Sequence, residues 1–119
     1  MKFTEEHLWL REEDGMIVVG VTEFGVAELG EIAFVELPEE GDAVVKDDEC
    51  AVVESDKTTS DILAPIGGEI VDVNTALTKN PGLLVDDPVG DGWLFAISPE
   101  DMDEMDDFMD EGAYKKYVG

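Results

Sequence analysis

Turn-forming residues interrupt this chain at intervals too short to leave room for long helices. Gly15 precedes Met16-Ile17-Val18-Val19-Gly20-Val21, and Pro38 closes the run 32–37. Gly41-Asp42, Gly67-Gly68, Asn80-Pro81-Gly82 and Asp91-Gly92 mark further reversals. The segments between them are short and rich in β-branched and aromatic side chains, which pack well on a pleated surface. Glycine, proline, asparagine and aspartate supply the backbone angles and missing donors that end such strands. Many short strands at this spacing predict packed antiparallel sheets rather than parallel βαβ units.

Two of the predicted strands, 50–54 and 59–64, are joined only by Ser55-Asp56-Lys57-Thr58. They predict a hairpin with a polar tip. In 69–74, Val71 and Val73 are expected on one face and Asp72 on the other, the period-2 pattern of a half-buried strand. Residues 93–97 form the last expected strand. Thr22 is placed to cap a short helix over 24–29, stopped by Gly30. Ser98-Pro99-Glu100-Asp101 reads as the start of a C-terminal helix. In it, Met102, Met105, Phe108 and Met109 recur at spacings of three and four and form a packing face.

With 119 residues, 44% of them hydrophobic, the chain is expected to fold as a single domain, 1–119. Its one cysteine, Cys50, permits neither an intrachain disulfide nor a cysteine-based zinc site. Lying in an apolar run, it reads as an inert core thiol. Thirty-one acidic residues against seven Lys plus Arg give a net charge of −24. Such a surface repels phosphate backbones and anionic lipid, so neither nucleic acid nor membrane is expected as a partner. It suits basic pockets on partner proteins, and equally a salty cytoplasm. The first residues carry no apolar stretch of signal-peptide length, so a cytoplasmic location is expected.

So few basic residues make Lys57 conspicuous. At a hairpin apex its amine points away from the body of the protein, where another enzyme can acylate it. A long acyl cofactor held this way is a tethered reagent, at raised effective concentration in every active site it reaches. The competing reading is a solvated turn lysine. Hydrolase chemistry has little support: His7 is the only histidine, and no nucleophile–base pair is visible around it. His7 itself reads as an ordinary surface imidazole.

The stretch Val53-Glu54-Ser55-Asp56-Lys57-Thr58-Thr59-Ser60-Asp61-Ile62, followed by Ala64-Pro65-Ile66-Gly67-Gly68, resembles the lipoylation region of glycine-cleavage H proteins. His7 and Trp9, Leu29-Gly30-Glu31-Ile32, Val35-Glu36-Leu37-Pro38, Asn80-Pro81-Gly82-Leu83-Leu84 and Glu111-Gly112-Ala113-Tyr114 are similar to the same family. The resemblance runs in register along nearly the whole chain. It implies a mainly β barrel-sandwich hybrid of two antiparallel sheets, with short helices and a C-terminal helix. It implies lipoate attached to Lys57, with Glu54, Ser55, Asp56, Thr58, Ser60, Asp61, Leu8 and Glu28 around the tip and the cleft that shelters the arm. The carrier itself would catalyse nothing. Biotin carriers flank their lysine with methionine, whereas Asp56 and Thr58 stand here.

Implied partners are a lipoate ligase or lipoyltransferase, glycine decarboxylase, aminomethyltransferase and dihydrolipoamide dehydrogenase. A swinging arm would move an aminomethyl group between them, and a shuttle of this kind is expected to be a monomer. Three positions depart from the family's usual pattern: Asp56 replaces valine, Leu8 replaces glutamate and Glu28 replaces histidine. Leu8 cannot pair with a cationic amine, and Leu8→Glu is expected to improve protection of an aminomethylated arm. These departures keep an alternative open, a lipoate-binding protein of heterodisulfide-reductase-like sulfur oxidation. Its partners would be a heterodisulfide-reductase-like complex and sulfurtransferases. A third reading is an unmodified acidic module that regulates lipoate enzymes.

Overall fold

The computed structural model describes all 119 residues, Met1–Gly119. Nine strands pair into two antiparallel sheets. The larger runs β1 (Lys2–Phe3), β2 (Leu8–Glu13), β3 (Met16–Val21), β9 (Phe95–Pro99), β8 (Gly68–Val73) and β5 (Ala43–Val44) in spatial order. The smaller runs β4 (Ile32–Glu36), β6 (Glu49–Ser55) and β7 (Thr59–Leu63). Helices α1 (Glu23–Leu29), α2 (Ala76–Lys79), α3 (Leu83–Asp86) and α4 (Glu111–Val118) complete the chain. None is long and apolar enough to cross a membrane.

Strand alternation builds the core. Leu8 and Leu10, Ile17 and Val19, and Phe95 and Ile97 join Val35, Ala51, Val53 and Ile62 of the small sheet in one buried cluster of 20 residues. The intervening residues Trp9, Val18 and Ala96 face the other way and form a second, smaller cluster. Trp9 donates its indole N–H to the Pro88 carbonyl at 2.9 Å, which ties the loop before β9 to the large sheet. Gly20 lies opposite Trp9 in the ladder. A Cβ there would sit 2.5 Å from the indole Cε2, so only glycine leaves the ring its place.

The hairpin β6–β7, the strand β3 and the helix α1 form where expected. Thr22 caps α1, accepting from the Gly25 N–H at 3.1 Å, and Gly30 at φ 85° ends it. Strand β2 was not expected, because half of it is charged. Its signal was Asp14-Gly15, both at positive φ (51° and 81°), the conformation of a tight hairpin turn.

Three expectations are corrected. A bulge between Ile70 and Asp72 breaks the alternation of β8. As a result Val71 packs on the Trp9 cluster while Val73 packs on the main core. The last strand starts at Phe95, not Trp93, and runs through Ser98 to Pro99, so no helix starts there. The expected C-terminal helix is two pieces. A 3-10 turn over Met102–Asp107, capped by the Asp101 carboxylate, presents Met102, Met105 and Phe108 to the core. Met109 then straightens to exchange backbone hydrogen bonds with Phe3 at 2.8 and 3.0 Å. Asp110 caps a new helix, α4. Pairing to β1 and two aspartate caps outweigh the helical spacing of the methionines.

Candidate functional site

The four-residue tip of the β6–β7 hairpin is held by one buried hydroxyl. Ser55 Oγ donates to the Thr58 carbonyl at 3.1 Å and accepts from the Lys57 and Thr58 N–H groups at 3.2 and 3.1 Å. The Ser55 N–H also donates to the Thr58 carbonyl, and the Asp56 N–H to the Glu31 carbonyl at 3.3 Å. A serine that satisfies three backbone groups fixes a turn that would otherwise fray.

Lys57 stands exposed on this turn. The chain's three ion pairs, His7–Glu28, Arg11–Glu13 and Lys115–Glu111, do not involve it. Its aliphatic stem passes Gly30, where an added Cβ would lie 3.6 Å from both Cε and Nζ. Gly30 ends α1, and the Lys57 side chain rests against it at ordinary van der Waals distance. Asp56 and Thr58 are exposed on either side, Glu54 is exposed just below, and Ser60 is half-buried on the inner face. An exposed, unpaired primary amine on a fixed β corner fits what an amide-linked acyl cofactor requires of its attachment residue.

A groove of about 430 Å³ runs beside β7. Leu8, Ile62, Ala64 and Phe108 give it apolar walls, and Glu5, Asp61 and Asp107 an acidic rim. Asp61 is four positions beyond Lys57, so their Cα atoms are at most about 14 Å apart. The structure brings Leu8 and Asp61 together in one groove but leaves Glu28 outside it. Leu8 is only 4% exposed and belongs to the main core. A carboxylate there would be largely desolvated, so Leu8→Glu carries a structural cost the sequence did not reveal. Urea unfolding at pH 7 should show it about 2–3 kcal/mol less stable than the parent.

Glu28 instead lies 4.0 Å from His7 Nε2. The surface-imidazole reading of His7 is corrected: its side chain is only 20% exposed. Nδ1 lies 2.9 Å from the Tyr114 hydroxyl, which in turn lies 2.7 Å from Thr22 Oγ1. The Gly25 N–H donates to Thr22; assigning the Thr22 proton to Tyr114 and the Tyr114 proton to His7 Nδ1 gives each hydroxyl one acceptor. Burial pushes the Tyr114 phenol above its ordinary pKa; the Thr22 hydrogen bond opposes this, and Glu28 and Tyr117 add to it. This network joins the cap of α1 to α4 and the β1–β2 turn. No local pattern announced it, because its members are far apart in sequence.

Cys50 is half-buried. Desolvation, then Asp42 and Asp48, push its thiol from 9.0 to about 12. At pH 8 iodoacetamide should label it about 1,000-fold more slowly than a free thiol, and unfolding in urea should remove the difference.

Two facing antiparallel sheets with a lysine exposed at one hairpin tip define the barrel-sandwich hybrid class of carrier domains. The whole chain, residues 1–119, matches the family described as Glycine cleavage H-protein, and it belongs to that family. It is 46% identical over 116 residues to the glycine cleavage system H protein of Thermus thermophilus, covering 98% of this chain and 91% of that one. The Shewanella loihica protein of the same name is 47% identical over 119 residues, with 99% and 92% covered. The crystal structure of a glycine cleavage system H protein from Mycobacterium marinum superposes with a TM-score of 0.90 at 36% identity, covering 99% of this chain and 95% of that one. These matches favour glycine cleavage over the sulfur-oxidation reading.

Proposed function

We propose that the chain is the lipoyl carrier of a glycine cleavage system, loaded on Lys57, and is itself non-catalytic. The observation that carries this is the exposed, unpaired Lys57 amine on a turn pinned by Ser55. When attached, the lipoyl group supplies a disulfide that can be reduced and can bear a one-carbon amine. The chain's own residues do the rest. Ser55 fixes the direction in which the arm leaves. Gly30 gives its stem a surface to rest on, and Leu8 and Ile62, with Glu5, Asp61 and Asp107, offer a nearby groove with an apolar wall and an acidic rim. The protonated Cys50 thiol keeps a competing thiolate away from disulfide chemistry. The partners of this reading are a ligase or lipoyltransferase that loads the lysine, glycine decarboxylase, aminomethyltransferase and dihydrolipoamide dehydrogenase. The chain acts among them as one domain, as a monomer in the cytoplasm.

The test is intact-protein mass after incubation with the lipoate ligase of the same source, ATP and lipoate, because Asp56 beside the lysine can bar a foreign ligase. One lipoyl addition, located on the peptide containing Lys57, is expected. An unchanged mass, with the same ligase active on another acceptor, would leave only the unmodified-module reading.

A further inference from the structure

The small sheet has an inner face in the core and an outer face in solvent. Register places Phe34, Glu54 and Thr59 side by side as the first outward row below the tip. Glu36, Val52 and Asp61 form the second. A bulge between Ile32 and Phe34 shifts the register of β4 just ahead of that first row. Such bulges re-aim side chains, and here Phe34 emerges 46% exposed, with Glu54 opposite it in the ladder and Glu36 two residues along its own strand. Burying this ring would remove apolar area from water, yet nothing in the chain covers it. An exposed aromatic ringed by charge of one sign is the makeup of an interface anchor with a polar rim.

The occupant follows from geometry. An enzyme that works on the far end of a long arm can stand away from the sheet. The enzyme that acylates Lys57 cannot, because its active site must reach Nζ itself. Glu54, beside Phe34, is three residues from Lys57, at most about 11 Å between Cα atoms. We infer that the outward face built on Phe34, Glu36 and Val52 is the seat of the enzyme that acylates Lys57. That enzyme presents a basic surface with an apolar pocket for the Phe34 ring. The step it performs joins the Lys57 nitrogen to the carbonyl of a lipoyl adenylate. The amide C–N bond forms, the bond between the carbonyl carbon and the phosphate oxygen breaks and AMP leaves, while the ammonium gives up two protons, one before attack and one as the adduct collapses, to solvent and the departing phosphate. The inference rests on Lys57 being the loaded residue.

The test is steady-state lipoylation of the full chain by a lipoate ligase with ATP and lipoate, read by intact mass. Phe34→Ala should raise KM for the chain roughly tenfold with kcat within about twofold. Phe34→Lys, whose ammonium sits beside Glu36 and Glu54, should stay folded and raise KM further. Glu36→Gln should raise KM about two- to threefold at low salt and show no effect at high salt. Val45→Ala removes another exposed apolar side chain, in the turn between β5 and β6, and should change nothing. Parental KM in folded Phe34→Ala and Phe34→Lys overturns the inference while leaving Lys57 as the loaded residue. Failure of the parent chain to be modified at Lys57 overturns the carrier reading itself.

Discussion

Lys57→Arg is expected to abolish lipoylation while leaving the thermal midpoint within about 2 °C of the parent. Arginine keeps the charge, the length and the exposure of the side chain, but its guanidinium holds its proton and is no nucleophile at neutral pH. Nothing in the fold depends on the Lys57 amine, which makes no ion pair. The backbone hydrogen bonds of the tip run through Ser55 and survive the change. The remaining lysines, Lys2, Lys46, Lys79, Lys115 and Lys116, lie outside the hairpin tip, so none offers a ligase the same β corner. Intact mass after ligase treatment should therefore show no addition at all. A full addition to Lys57→Arg would show that another amine is the acceptor.

Trp9→Ala should cost about 3–5 kcal/mol, the range for removing a fully buried large aromatic side chain. The ring is 0% exposed and fills the gap between Gly20 and the Pro88 loop. Its loss leaves a cavity and a Pro88 carbonyl without its donor. The Arg11 guanidinium, 5.1 Å from the ring centroid, also loses that aromatic contact. For a domain of this size the thermal midpoint should fall by roughly 10–20 °C. Because Trp9 lies on the face of the large sheet away from the tip, ligase loading of the variant below its midpoint should remain close to parental. A thermal shift under about 3 °C would mean that the second cluster contributes little to the fold.

What local chemistry controls was legible. The tip of the β6–β7 hairpin shows as two β-prone runs around a polar break, and Thr22 and Gly30 mark the ends of α1 by cap preference alone. The apolar run around Cys50 placed the thiol against the core, though the structure leaves it half-buried there. The misreadings share one cause. Val71 and Val73 separated because β8 bulges to pair with β9, a requirement set by the partner strand. The methionine helix split because Met109 pairs with Phe3, more than a hundred residues away. His7 was drawn inward by Tyr114, 107 positions distant.

Leu8 shows the same limit within the candidate site. From sequence it was a residue that could be exchanged for an acid at the cleft. In the fold it is also a core side chain, and one exchange must answer to both roles.

By itself, the sequence determined the turn positions, the acidic surface and the identity of the one lysine placed on a hairpin tip. Each of these depends on residues close in the chain, where backbone preference and charge act without tertiary help. Only the tertiary structure decided that Phe34 faces solvent below that lysine, that Glu28 sits with His7 outside the groove, and that Leu8 is buried. Those facts depend on register and on packing between distant segments, where burial and long-range hydrogen bonds outweigh any local preference.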